Sequence, residues 1–412
     1  MASKKNPPAN PPAAKASGKP AASPPPAKKP GTAAASKAPP SKAPPSKAPP
    51  SKAPETAQQP VAAVQQLVQR LPVAPGLGHQ ADLPEVKAPS LENLAIQVPA
   101  GEDLTETDLL ERFHELARAK AESRPRAEGE ALAMGDDVQL DILGYANGRL
   151  IPLSTRLGYW MELAPQLMLP GFSEVIAEAN VGDSVEVGLI LPDDYPAEQL
   201  RGMPARFLVD IRAAREVRMP DTESDEFIQK LGRGATHEEV MSSIVDEMEG
   251  EMADLLWVDA RNMVLDTLVE RSGVTVPKAL VDEEIRRRWL QMEGEALAQK
   301  FFTLEEQQEA LDGWLHHPGI REDVERRLKI ALVLRAIGQR DKLQLTPPVA
   351  LELLKESSEP FGITEAQLRE SMMDPAAAAQ MNDVAWHLLV VEHVMTQAKV
   401  TFEGADAGLS QG

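Results

Sequence analysis

The sequence predicts a multidomain α+β protein with a basic low-complexity tail, a small antiparallel β-rich domain with one short helix, and an extended all-helical region with long arms. Three observations predict it. Residues 1 to 60 hold 17 of the 36 prolines and ten lysines against a single acid, Glu55. Between Gly135 and Arg218 apolar residues alternate with the period of two expected of strands. From Thr222 almost to the end they recur at the three- and four-residue spacings of helices.

The tail comes first. Ser36 to Pro54 repeats Ser-Lys-Ala-Pro-Pro with nothing to bury, so it is expected to stay extended and disordered, as a spacer or an electrostatic tether. A short apolar helix is expected near Val61 to Leu71, followed by a Pro/Gly linker. Alternation at Leu94, Ile96 and Val98 reads as an extended segment. Leu109, Leu110, Phe113 and Leu116 then fall at helical spacing behind a Thr105/Asp108 capping box, which predicts a helix of roughly 18 residues ending before Arg124-Pro125.

In the β-rich part, Val138, Leu140 and Ile142 alternate, as do Val185, Val187 and Leu189, and Phe207, Val209 and Ile211. Asn147-Gly148 is a two-residue hairpin signal, and one helical turn is expected near Phe172 to Ala179. In the helical part, Thr236/Glu239 and Thr303/Glu306 read as capping boxes. A helix of more than about 30 residues is expected to run from Thr236 to the break at Ser272-Gly273, long enough for part of it to project as an arm. Further helices are expected at about 277–300, 304–316, 320–340, 348–357, 364–372 and 381–399.

Composition excludes several classes. There is no cysteine, hence no disulfide, thiol nucleophile or thiolate metal site. No apolar run suits a signal peptide or a membrane span, so the expectation is a cytoplasmic protein without a membrane partner. The tail carries +9 and the remainder −29 of the overall −20; an acidic body argues against specific DNA binding, whereas the tail could meet phosphate. His316-His317 and His387/His393 lack the three- or four-residue spacing that puts two ligands on one helix face, so no metal is expected. No phosphate loop or nucleophile elbow occurs, and no cofactor is expected.

Particular strings carry a resemblance. They are Gly135-Asp136-Asp137-Val138-Gln139-Leu140-Asp141, Leu169-Pro170-Gly171-Phe172, Leu191-Pro192-Asp193-Asp194-Tyr195 through Leu200-Arg201-Gly202, Glu226-Phe227 to Gly232, and Gly273-Val274-Thr275-Val276-Pro277. Together with the order of domains they make residues 83 to 402 resemble the trigger factor family, ribosome-associated bacterial folding chaperones. The resemblance implies a disordered tail and linker at 1–82, a linker strand and helix at 83–130, an FKBP-like prolyl isomerase domain at 131–220, a helical chaperone domain at 221–402 and a disordered end at 403–412. The family's docking loop, of the type Gly-Phe-Arg-x-Gly-x-x-Pro, does not occur in residues 1–82, so any ribosome contact is expected through the basic tail.

The implied activity is ATP-independent holding of unfolded or nascent polypeptides, associated in the family with protein export and cell division. The isomerase is auxiliary. Matched onto the family pocket, Tyr195, Phe207 and Phe172 are the aromatics, Leu169 and Met168 take the apolar and backbone-donor positions, and Ile142 stands where the family has an aromatic. The Phe-acid pair falls near Leu150-Ile151 and the glycines become Ala164-Pro165-Gln166. Such a pocket implies weakened rotamase activity. Met241, Met248, Met252, Met292, Met372 and Met373 are the candidate client-binding side chains, because thioethers adapt to many shapes. The alternatives are a protein whose main work is prolyl isomerisation, and a non-catalytic assembly scaffold for one partner.

Overall fold

Four apolar side chains, Leu91, Leu94, Ile96 and Val98, need cover that no neighbouring residue supplies, and the fold provides it from the far end of the chain. The computed structural model describes residues 83–403 apart from 102, 166–168, 301 and 359–361. The repeat tail, the helix expected near Val61 and the C-terminal end from residue 404 lie outside the described residues. Strand β1 (Ala95–Val98) is followed by α1 (Glu106–Ala119), β2 (Glu122–Pro125), β3 (Asp137–Ala146), β4 (Arg149–Leu150), β5 (Arg156–Glu162), α2 (Phe172–Ala177), β6 (Ser184–Ile190) and β7 (Pro204–Arg218). The helices α3 (Asp225–Leu231), α4 (His237–Ser272), α5 (Lys278–Trp289), α6 (Glu295–Gln299), α7 (Leu304–His316), α8 (Pro318–Asp341), α9 (Pro347–Ser358), α10 (Glu365–Ser371) and α11 (Pro375–Met395) come next. Strand β8 (Lys399–Phe402) is last.

Strand β1 pairs in parallel with β8, Ala95 opposite Lys399 and Val98 opposite Phe402. Their inner faces join α4, α8 and α11 in one core that includes Leu94, Val98, Val264, Leu268, Leu334, Ile337, Val390 and Val394. Arg271, at the end of α4, donates to the carbonyls of Ser90, Glu92 and Asn93 at 3.0–3.1 Å. Arg340 donates to that of Pro89 at 2.5 Å. The helix expected to reach residue 399 stops at Met395. Lys399, the last residue of that expected helix, opens β8 instead, because Val400 and Thr401 suit a strand and β1 offers a ladder.

The β-rich part holds a six-stranded antiparallel sheet in which β2, β7, β3 and β4 neighbour in that order, while β5 lies on β3 and β6 on β7. The alternation decides the faces: Val138, Leu140 and Ile142 are 0, 0 and 1% exposed, and Phe207, Val209 and Ile211 are 4, 1 and 2%. The hairpin between β3 and β4 turns on Asn147 and Gly148, at φ 53° and 77°, the two positive values that a type I′ turn requires. Helix α2 seals one end of this core with Phe172 and Ile176.

Three helical expectations change. Helix α1 has 14 residues, not 18, because the chain after Ala121 pairs with the end of β7 as β2. Its capping box forms as expected, with Thr105 and Asp108 exchanging hydrogen bonds. At Thr236 only half the box forms: the hydroxyl accepts from Glu239 N–H, while the Glu239 carboxylate turns to Ala235 N–H at 2.6 Å. The helix expected over 277–300 is interrupted by a π-turn at Leu290–Gly294 between α5 and α6. Helix α4 spans 36 residues. Its first turns pack with α1 and α3 around Phe227, Ile228 and Ile244, and its later turns join the core under β1.

His387 lies inside the helical part, 8% exposed, and burial lowers its pKa. The unfolded chain therefore binds this proton more readily than the folded one. The associated stability is present above about pH 6.5 and is lost as pH falls towards the depressed folded value. Thermal unfolding of the helical part should shift down between pH 7 and pH 5, and His387→Gln should flatten that slope; equal slopes would remove His387 as the cause. Leu94→Ala should cost about 2–5 kcal/mol in denaturant unfolding of the same part.

Candidate functional site

Two groups of residues deserve comparison with the sequence expectations, one in the β-rich part and one on the helices. In the first, antiparallel pairing sets Gly144 of β3 opposite Phe207 of β7, and Val187 of β6 on its other side. The Gly171 backbone, at φ 86°, starts α2 so that Phe172 points inward. The rings of Phe172 and Phe207 meet edge to face at 5.9 Å and 87°, the arrangement that aromatic quadrupoles favour. Gly144 is required here: a Cβ at this position would sit 2.7 Å from Phe207 and 2.9 Å from Ser154. Ser154 Oγ in turn accepts from Gly144 N–H at 3.1 Å.

The structure brings Ile142, Phe172 and Phe207 together in one core, with Leu169 and Tyr195 packed at its margin. Met168 lies outside the described residues. Tyr195 is half-buried, and burial raises the pKa of its hydroxyl. Its position is fixed through the backbone: its N–H donates to Pro192 O at 3.1 Å, and its carbonyl accepts from Arg201 Nε at 2.7 Å. Ile142, Phe172 and Phe207 are at most 4% exposed, whereas Leu169 and Tyr195 are half-buried. A cavity of about 500 Å³ opens elsewhere, between the β3–β4 hairpin, the turn at Gln199-Leu200 and α7. None of the five described pocket candidates lines it.

The methionines divide. Met241 and Met248 pack on the core shared by α1, α3 and α4, and Met372 packs against α9 and α11. Met252 is half-buried. Met292 and Met373 are 38 and 84% exposed. Beside them stand apolar side chains that the sequence reading did not single out: Leu255 at 63%, Leu290 at 54% and Leu304 at 85%. Acids flank them, with Glu251, Asp254 and Asp259 exposed on α4, and Glu305 and Glu306 exposed at the start of α7. The missed signal was excess: α4 carries apolar residues at Leu255, Leu256, Trp257 and Val258, more than one helical stripe can bury.

The histidines take local roles. His316 contacts Asp312 at 3.2 Å, His317 Nδ1 accepts from Ile320 N–H at 3.3 Å and begins α8, and His393 meets Asp341 at 2.9 Å. Among the described residues no three acids or histidines converge as a metal would need. No helix among them is long and apolar enough to cross a membrane.

Gly144→Ala tests the packing of the first group. Overpacking of this kind costs about 1–3 kcal/mol, so the β-rich part should lose about that much stability, and Gly144→Ala combined with Phe207→Leu should recover part of it. A stability unchanged by Gly144→Ala would mean that Phe207 is not held where described.

Comparison with known proteins places these features. Residues 236–396 match the family of the bacterial trigger factor protein (TF) C-terminus. The chain is 27% identical over 327 residues to the trigger factor of Novosphingobium aromaticivorans, covering 77% of this chain and 61% of that one. It is 26% identical over 323 residues to that of Hyphomonas neptunium, covering 78% and 71%. The chain thus spans about three-fifths to seven-tenths of the length of these relatives. A solved structure of the trigger factor chaperone aligns over 76% of this chain and 73% of its own, at 19% identity and a TM-score of 0.27. Residues 236–396 thus match the trigger factor C-terminal family, and the chain is similar over about three-quarters of its length to trigger factors.

Proposed function

We propose that this protein is an ATP-independent chaperone that holds unfolded or nascent polypeptides on its helical surface. The observation that carries the reading is the set of side chains Leu255, Leu290, Leu304 and Met373, each more than half exposed, with exposed acids next to Leu255, Leu304 and Met373. Apolar side chains left in water favour contact with other apolar surface. Dispersed among charges, they favour many weak contacts over one tight interface, so a client leaves as it buries its own core. The match of residues 236–396 and the similarity to trigger factors support the same reading.

The domain limits proposed from the sequence fit this reading: a linker at 83–130, an FKBP-like domain at 131–220 and a helical client-holding domain at 221–402. Isomerisation is proposed as auxiliary. Rotation about an X-Pro bond needs a dry, aromatic surface more than it needs acid–base chemistry. Here the aromatic pair is buried in a core on which Leu169 and Tyr195 pack, and Ile142 lacks a ring. Contact with ribosomes through the lysine-rich tail remains part of the proposal, as does a cytoplasmic location.

A chemically denatured client diluted into buffer without nucleotide tests the main claim. Light scattering should fall at a modest molar excess of the protein, and a Leu255→Asp, Leu290→Asp, Leu304→Asp, Met373→Asp variant should lose most of that protection while keeping its melting temperature. No protection by the parent protein would sink the reading. Acceleration of a proline-limited refolding step should be weak and should vanish in Tyr195→Ala; acceleration as strong as that of a dedicated isomerase would instead make isomerisation the principal activity.

A further inference from the structure

The β-rich part meets the helices through a small set of polar contacts that cross a seam. The π-turn between α5 and α6 turns Glu293 inward, 1% exposed. One carboxylate oxygen accepts from Trp314 Nε1 at 2.6 Å within the helical part. The other accepts from Thr155 N–H, just before β5, at 3.2 Å. At the end of the same helix, Lys300 Nζ lies 2.7 Å from both Asp141 of β3 and Asp210 of β7. Burial alone would raise the Asp141 carboxyl, but the hydrogen bonds from Lys300, Gly158 N–H and Arg212 hold it below the usual range. Arg149 and Glu309 pair at 3.3 Å along the exposed rim. Apolar contact from the β-rich part includes Leu143 and Leu150, which are partly buried against the core of α5–α8, and Pro152, which faces Gly313 of α7.

Three features make this seam separable. First, the β-rich core draws its buried residues only from positions 132–214, so it survives undocking intact. Second, most polar groups keep a partner on their own side: Asp141 retains Gly158 N–H at 2.7 Å and Arg212 at 2.7 Å, Asp210 retains Ser184 Oγ at 2.7 Å, and Glu293 retains Trp314. Undocking therefore strands Lys300 and the backbone donors of Leu153 and Thr155 that face Glu293, and all of them regain water. Third, Glu122 of β2 and Arg218 of β7 are register partners, so the incoming and outgoing connections run side by side as one narrow hinge. Arg118 of α1 anchors its base, contacting Asp137 at 2.7 Å and Glu162 at 2.9 Å. Small, polar contacts between parts with separate cores are the kind that open reversibly.

We propose that the β-rich part is a hinged flap over α5–α7, latched by Lys300 between Asp141 and Asp210 and by Glu293 on the Thr155 backbone. The cavity of about 500 Å³ lies in this seam, walled on one side by Leu150 and Leu200 and on the other by α7. Opening about the hinge widens this half-open space into a cleft. The latch stands independently of the chaperone reading, since it concerns the motion of two parts of one chain.

The chain has no cysteine, so two introduced cysteines carry spin labels at chosen places only. Labels at Glu198→Cys, whose side chain is 83% exposed, and at Glu305→Cys on α7 report on the seam by electron–electron distance measurement. The parent should show one dominant short-distance population. Lys300→Met should raise the long-distance fraction roughly tenfold or more, since it removes the cation that contacts Asp141 and Asp210 from the helical side. Asp210→Asn, on a more exposed partner, should raise it less while preserving the fold, and it decides the matter if Lys300→Met fails to fold. Distributions for folded variants that superimpose on the parent, or a parent with no short-distance population, would overturn the latch.

Discussion

The helical part is closed by a strand that belongs to neither of its sequence neighbours. Lys399 N–H donates to Leu94 O at 2.7 Å, and Glu403 N–H to Val98 O at 2.9 Å, so residues some three hundred positions apart form one ladder. Beneath that ladder Leu94, Ile96 and Val98 complete a core whose other walls are α4, α8 and α11. Everything between the two strands is an excursion from this closure, including the β-rich part. The arginines at 271 and 340 hold the incoming segment by its carbonyls, which satisfies backbone acceptors that neither helix nor sheet would otherwise reach.

This arrangement gives the two parts of the molecule different jobs. The β-rich part has one antiparallel core of its own, with Ile190, Tyr159 and Leu208 left 70, 43 and 43% exposed on its surface. The helical part is built from several cores, one beneath β1 and β8, one on α5–α8, one on α9–α11 and one shared with α1. Long helices that serve several small cores leave apolar residues between them uncovered, and Leu255 in the middle of α4 is an example. The exposed surface proposed to hold clients follows from the same architecture that needs the long helices.

Much of this was legible in the sequence. Period-two alternation identified the buried faces of β3, β6 and β7, and Asn147-Gly148 located the hairpin. Capping residues placed the starts of α1, α4 and α7. What was hidden depended on distant partners. Strand β8 was not read because its ladder partner lies at the other end of the chain, and the first residues of β2 read as helix because only pairing with β7 makes them a strand. The π-turn at Leu290–Gly294 left no mark in the periodicity, and its purpose is visible only in the inward turn of Glu293. Residue type alone could not separate Met241 and Met248, which fill a core, from Met373, which is exposed.

The central claim is that the ladder of β1 with β8 closes the helical part as one cooperative unit. Native-state hydrogen exchange tests it most directly. The account predicts that the amides of Lys399 and Glu403 exchange with the same opening free energy as core amides of α4 and α8, such as those of Val264 and Leu334, because all of them require global opening of that part. Exchange at Lys399 and Glu403 that is far faster, with α4 and α8 still protected, would show that the strands are an attachment to an already complete helical core and would contradict the account.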